Sequence, residues 1–252
     1  MKLIKQRATT GSLASYDKFE FDELVRFRQM YLLDTEETIT GAEPFPGEMM
    51  TPKKINVDLP NDTYKHLVMY YKAAYRNLDF FTIEEISRNP GFSGHGVVVW
   101  PQINQFGRIR IGAEIFGSAN APRHSRSSFI RAKFVQSDDS IESFPGQIQY
   151  FFEHEVNLRE KNKLIKLVHR LAYVRWFLPV SNFQTRFRLQ ITDNDQSCSV
   201  ELWTNDLCES GRDSIIPVHN ILDRFIPYTI EIGNRKPSER MAVIPLKRKF
   251  HM

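Results

Sequence analysis

Cysteine is scarce in this chain: Cys198 and Cys208 are the only two among its 252 residues. Such a pair matches no common zinc spacing and excludes a disulfide framework as the source of stability. No apolar run reaches the roughly 20 residues of a membrane-spanning helix, and the first residues lack the apolar stretch of a signal peptide. We therefore expect a reducing cytosolic or nuclear setting and no membrane contact.

The sequence also lacks enzyme motifs. It contains no GxSxG nucleophile elbow, no P-loop and no GxGxxG phosphate-binding turn. A nuclease would need several acids converging on a divalent metal, but no spacing selects any of the available acids. The acids that could be nominated are Glu114, Asp138, Asp139 and Glu201. We therefore predict that the protein is not an enzyme and binds no cofactor.

Histidine pairs at metal-ligand spacing are missing as well, since no HxxxH or HxH pair occurs. The histidines that come into question are His154, His169 and His219. Strand alternation puts His154 on the opposite face from its two glutamate neighbours. His219 lies between apolar residues, which is typical of a structural histidine. We therefore predict no metal site.

Aromatic residues are abundant, with 19 phenylalanines in a chain that is 41% hydrophobic. This composition is typical of a globular protein with a well-filled β core or aromatic-lined grooves. The formal net charge of +4 permits contact with nucleic acid or with acidic tails without demanding either.

Helix and loop signals dominate residues 1–93, whereas strand signals dominate residues 94–252. The predicted helices cover 19–33 and 63–78, a helical turn covers 82–87, and a loop covers 35–57. In the second part, β-branched and aromatic runs between turn-like segments predict consecutive short strands. We therefore predict an α+β, mainly β protein with a domain boundary near residue 93, and we expect the helices to pack on the β-rich domain.

An aromatic cluster on three predicted strands is the stronger of two binding signals. In a small barrel, half of these rings would fill the core and half would line an outer groove. Such a groove can hold a methylated ammonium by cation–π attraction. The candidate groove residues are Trp176, Tyr150, Trp203 and Glu201. Core packing is the alternative for each ring taken alone.

The second signal is a basic stretch, PRHSRSSFIRAK, which contains no acid. Such a patch can contact phosphates, and each contact adds salt-sensitive affinity that is blind to base sequence. The candidate nucleic-acid contacts are Arg123, Arg126, Arg131 and Lys133, together with Arg108 and Arg110. A solvated loop and strand face is the alternative.

Three short motifs follow one another in the C-terminal half. They are VRWFLP at Val174–Pro179, VELW at Val200–Trp203 and IPVHNI at Ile216–Ile221. Their order resembles bromo-adjacent-homology (BAH) domains over about residues 128–232. The resemblance implies a distorted β-barrel, here with a helical N-terminal extension, that mediates protein contacts in chromatin. Some members cage a methyl-lysine of a histone tail, which would make Trp176 one wall of a cage.

A second resemblance covers about residues 60–252 and is carried by the run from GRIRIGAEIFG, at 107–117, through the terminal MAVIPLKRKFHM. This stretch resembles a group of fungal proteins expanded in mycorrhizal genomes and, more distantly, the region after the catalytic domain of plant En/Spm-type transposases. These resemblances imply a transposon-derived nuclear protein, with the cytoplasm as the alternative location.

Three functions stay open at this point. The leading one is a non-enzymatic, chromatin-associated module that binds a histone tail or another chromatin protein. The second is a sequence-nonspecific DNA-binding accessory domain of a transposase-related protein. The third is a degenerate fragment without selected activity.

Overall fold

The computed structural model describes residues 39–75, 77–88, 96–135, 141–160, 163–180, 201–232 and 238–246. Most of these residues lie in strands, which confirms the mainly β class predicted from the sequence. No helix in these ranges is long and apolar enough to cross a membrane. The helix predicted at 19–33 lies outside the described residues.

The strands are β1 (Gly47–Asp58), β2 (Phe80–Phe81), β3 (Val97–Val98), β4 (Gln102–Ile111), β5 (Glu114–Gly117), β6 (Phe129–Val135), β7 (Ile141–Glu160), β8 (Lys163–Pro179), β9 (Glu201–Leu207), β10 (Ile215–Pro217), β11 (Ile221–Ile232) and β12 (Ser238–Pro245). The α-helices are α1 (Asn61–Ala74) and α2 (Ile83–Ser87). Three short 3-10 helices cover Pro122–Ser127, Arg212–Ser214 and Val218–Asn220. The helices predicted at 63–78 and 82–87 are therefore confirmed, although the first ends earlier than predicted.

Local sequence explains both helices. Thr82 caps α2, because its hydroxyl accepts the Glu85 N–H at 3.0 Å while the Glu85 carboxylate accepts the Thr82 N–H at 2.6 Å. In α1, apolar residues at helical spacing, including Leu67, Tyr71 and Ala74, are all buried and form the stripe that packs on the sheet.

The loop predicted at 35–57 is wrong for its second half, because β1 pairs antiparallel with β4 along its length. β1 lies at the edge of the sheet, where Pro52 is tolerated because the strand needs no ladder hydrogen bond on its outer side. Most of its side chains are exposed. Polar and apolar residues alternate only over 54–58, and the glycines and prolines before them favour a loop.

Six strands close into a ring in the order β7, β6, β11, β12, β9, β8 and back to β7. β11 completes the ring by changing partners, since its first part pairs with β6 and its second part pairs with β12. β4 joins the ring at β7 and carries β1 and β5, while β10 joins at β8. Every pairing in this sheet is antiparallel.

β7 and β8 are covered on both faces. On one face α1 packs against Phe152 and Leu171 and forms the first core. On the other face Phe151 and Ala172 belong to a second core, shared with β4 and β6. A third core lies between β8, β9, β11 and β12. The boundary predicted near residue 93 falls outside the described residues, but α1 and β1, which precede it, pack on strands that follow it.

Candidate functional site

An open cleft lies between β1, β4 and the 3-10 helix Pro122–Ser127. Its volume is about 520 Å³. The lining residues are Thr51, Pro52, Arg108, Ala121, Pro122, Arg123 and His124. Gly117 on β5 allows the 3-10 helix to come this close, because a Cβ at that position would lie 2.2 Å from the His124 carbonyl oxygen. The cleft thus depends on a close backbone contact.

Arg108 is held in a fixed orientation at this cleft. Its Nε donates to the Thr51 carbonyl oxygen at 2.7 Å, and its Nη1 donates to the His124 Nε2 at 3.1 Å. Because a guanidinium only donates, His124 must accept through an unprotonated Nε2. No hydrogen bond of Arg108 within the described ranges goes to a carboxylate, so its charge stays available to an anion.

Two more arginines lie on the 3-10 helix that borders the cleft. Arg123 lines the cleft, and Arg126 follows it on the same 3-10 helix; both are exposed. Neither forms an ion pair with any carboxylate of the described residues, and no acid is among the lining residues. Planar guanidinium groups bind phosphate and carboxylate oxygens with paired N–H donors. The arrangement is therefore suited to an anionic ligand.

The other cationic residues predicted to contact nucleic acid are placed differently. Arg131 on β6 makes a two-pronged pair with Asp223, with one N–H donated at 2.8 Å, and this hydrogen bonding raises the pKa of the guanidinium. Arg110 lies 3.6 Å from the Glu48 carboxylate on β1. Lys133, also on β6, is half-buried and has an interaction partner of its own. Of the six candidates, Arg108 and Arg123 therefore share the cleft, and Arg126 is exposed three residues further along the 3-10 helix.

The candidate groove residues are distributed over three separate cores. Tyr150 packs on the α1 core and stacks on Tyr173 at 5.3 Å, and burial raises its pKa. Trp176 belongs to the second core and is 5% exposed. Trp203 belongs to the third core, is fully buried, and donates its indole N–H to the Glu201 carboxylate at 3.1 Å. These side chains do not line one open groove in the described structure.

The burial of Trp176 has a local cause. It lies directly opposite Gly146 in the β7–β8 pair, and a Cβ on that glycine would be 2.5 Å from the indole ring. The indole N–H donates to the Asp213 carbonyl oxygen at 2.7 Å, and Phe134 meets the ring edge-on at 5.2 Å. Both the polar and the apolar parts of the side chain are therefore satisfied inside the protein.

A tyrosine–histidine cluster lies under α1. The Tyr71 hydroxyl donates to the His154 Nδ1 at 2.8 Å, while the His154 Nε2–H donates to the Trp100 carbonyl oxygen at 2.8 Å. Tyr75 hydrogen-bonds the His169 Nε2 at 2.6 Å. Burial lowers the pKa of His154 to about 4 and that of His169 to about 3. Both imidazoles are thus neutral at pH 7 and tie α1 to β7 and β8.

Other residues considered from the sequence have structural partners. His219 contacts the Pro44 carbonyl oxygen at 3.3 Å, and burial lowers its pKa. Glu114 pairs with Arg224 at 3.7 Å. The ranges that the structure describes hold no group of three or more His, Cys, Asp or Glu side chains that could bind a metal. The acids at positions 138 and 139 lie outside those ranges.

Sequence reasoning missed the β1 side of the cleft, formed by Thr51 and Pro52. Thr51 lies 57 positions before Arg108 in the sequence, and Pro52 follows Thr51 directly. Both residues come close to Arg108 only because β1 pairs with β4. No local sequence pattern predicts such a long-range contact. A search of family models found no match to this chain, and neither the curated proteins nor the solved structures contain a match.

Proposed function

We propose that this protein is a non-enzymatic module that binds nucleic acid through its phosphates, without reading base sequence. One observation carries the proposal: Arg108 and Arg123 face a common open cleft whose lining residues include no acid. Arg126 extends the cationic surface beyond the cleft. This is the DNA-binding accessory role predicted from the sequence, restricted to three of the six candidate cationic residues.

The proposal predicts affinity for duplex DNA that falls steeply with salt. Neutralising a phosphate releases counterions, so each contact contributes about 0.9 to the slope of log affinity against log salt. Replacing both Arg123 and Arg126 by alanine is expected to lower that slope by about 2 and to weaken binding at low salt by at least about tenfold. Fluorescence anisotropy with labelled duplexes of two unrelated sequences measures both quantities.

Arg88→Ala is the matched control for this experiment. Arg88 is an exposed arginine on the C-terminal side of α2, paired with Glu84, and α2 contributes nothing to the cleft lining. The control is expected to bind with the slope of the unaltered protein. Binding that is undetectable at low salt, or that the double variant and the control weaken equally, contradicts the proposal.

A protein-interaction role, the function that the BAH resemblance implies, is a second candidate, favoured by an apolar sheet face. On the β11–β12 pair, Ile226 lies directly opposite Ile244 and Tyr228 lies opposite Ala242. The exposed fractions are 48% for Ile226, 59% for Tyr228 and 37% for Ile244. The solvent-facing side of a sheet normally carries polar residues, so apolar residues that are exposed next to one another indicate a contact surface.

The charge of this sheet face indicates which class of peptide it would bind. Arg240 lies on the same face and has no carboxylate partner among the described residues. An apolar peptide with acidic flanks therefore complements the face better than a basic histone tail does. Tyr228→Ser is expected to weaken such a peptide relative to the control Ile55→Ser, which changes an exposed residue of β1. Two outcomes contradict this second candidate. One is equal affinity of the protein for acidic-flanked and lysine-flanked peptides, and the other is equal affinity of the Tyr228→Ser and Ile55→Ser variants for the acidic-flanked peptide.

A further inference from the structure

The cleft is larger than a phosphate group requires. Its volume of about 520 Å³ lies within the range of roughly 300–1,000 Å³ that is typical of small-molecule sites. A lone phosphate on the arginines would leave most of this space to water. The cleft therefore has room for the sugar and base that a nucleotide carries beside its phosphate.

The lining also divides into two chemical parts. Arg108 and Arg123 supply charged N–H donors. Pro52, Ala121 and Pro122 supply an apolar surface. A nucleotide has the same division, because an anionic phosphate is joined to a flat base whose faces are apolar. An apolar wall next to two guanidinium groups fits this combination, whereas an inorganic anion would use only the charged part.

We propose that the cleft takes one unpaired nucleotide of a single strand, with its phosphate on Arg108 and Arg123 and its base against Pro52 and Pro122. This inference rests on the proposed phosphate-binding function and names the ligand of the same site. Arg126, exposed beside the cleft, contacts the next phosphate of the strand. In a duplex the bases are paired and stacked, so one can enter a cleft only after unstacking, which costs a few kcal/mol.

The arrangement of Arg108 supports binding in a defined pose. Its side chain is fixed by Thr51 and His124 before any ligand arrives, so little rotamer entropy is lost when a phosphate binds. A cleft that merely attracted counterions would need no such fixed donor. The nucleotide can belong to DNA or RNA, since nothing in this chemistry depends on the 2′ position.

The test compares labelled single strands of DNA and of RNA with the duplex of the same sequence, using the full chain and fluorescence anisotropy. Single strands are expected to bind at least about tenfold more tightly than the duplex, because they escape the unstacking cost. A nucleoside monophosphate is expected to compete for the site at concentrations at which inorganic phosphate does not. If the RNA and DNA single strands bind with different affinities, the tighter of the two identifies the kind of strand that the cleft takes.

Two variants separate the parts of the site. Pro122→Ala is expected to lower single-strand affinity more than duplex affinity and so reduce the preference for single strands, while Arg123→Ala weakens all ligands. Pro60→Ala, at the exposed proline before α1, is the matched control. Duplex binding that equals single-strand binding, with no competition by the monophosphate, overturns the inference and leaves the phosphate-binding function standing. Absence of binding to every ligand overturns both.

Discussion

Trp176→Ala is expected to lower the free energy of unfolding by about 3–5 kcal/mol, the usual cost of removing a large buried aromatic side chain. The indole is 5% exposed, and its N–H is already bonded to the Asp213 carbonyl oxygen. Removing the ring would leave a cavity over Gly146 and take the indole donor away from the Asp213 carbonyl oxygen. Urea denaturation followed by far-UV circular dichroism measures the change.

Trp100→Ala is the matched control, since Trp100 is 55% exposed and takes part in the tyrosine–histidine cluster only through its backbone oxygen. Its expected effect is within about 0.5 kcal/mol. Trp176→Phe should lie between the two, because it keeps most of the ring volume and loses the hydrogen bond. A Trp176→Ala protein of unaltered stability that has lost a methyl-lysine ligand would contradict the buried, structural role and restore the groove predicted from sequence.

The groove prediction shows what strand alternation alone cannot predict. Strand alternation indicates that half of the rings on β7 and β8 face one way, but it does not say what covers that face. Here α1 covers it, so Tyr150 packs under a helix, while Trp176 points into the second core. A register shift between Ile148 and Tyr150 also breaks the alternation that the prediction assumed.

Elements with strong local signals were predictable. The apolar stripe of α1 and the Thr82–Glu85 cap of α2 are contained in a few consecutive residues. β1 gave only a weak signal, because its polar–apolar alternation is confined to residues 54–58 and follows Pro52. The cleft depends on β1, so its residues could be identified only in part. The sequence analysis named Arg108, Arg123 and Arg126, whereas only the pairing of β1 with β4 brings Thr51 and Pro52 to the cleft.

Acidification is the second change with a large expected effect. In the unfolded chain a histidine titrates near pH 6.5. Burial lowers the pKa of His154 to about 4 and of His169 to about 3 in the folded protein. Between these values and 6.5 the unfolded state binds more protons, so stability is fully present above pH 6.5 and falls as the pH drops. Each histidine contributes roughly 1.4 kcal/mol per pH unit.

At pH 5 the free energy of unfolding is therefore expected to be roughly 4 kcal/mol lower than at pH 7. Urea denaturation at a series of pH values measures the slope. His154→Gln is expected to remove about half of it, because an amide does not titrate in this range. A residual slope from His219 is expected, since burial lowers its pKa too. His66→Gln, at a half-buried histidine on α1, is the control.

Protonation of His154 and His169 is expected to destabilise α1 before it destabilises the whole fold. Protonation turns the His154 Nδ1 from an acceptor into a donor, so it can no longer accept the Tyr71 hydroxyl. His154 and His169 lie directly opposite each other, so two imidazolium charges would also repel across the β7–β8 pair. Between pH 6.5 and 5, hydrogen-exchange protection factors, which correct for the slower intrinsic exchange at lower pH, should therefore fall in α1 before they fall in β6 and β11. A simultaneous loss of protection in all of these elements, or a stability that does not change with pH, would contradict the role assigned to this cluster.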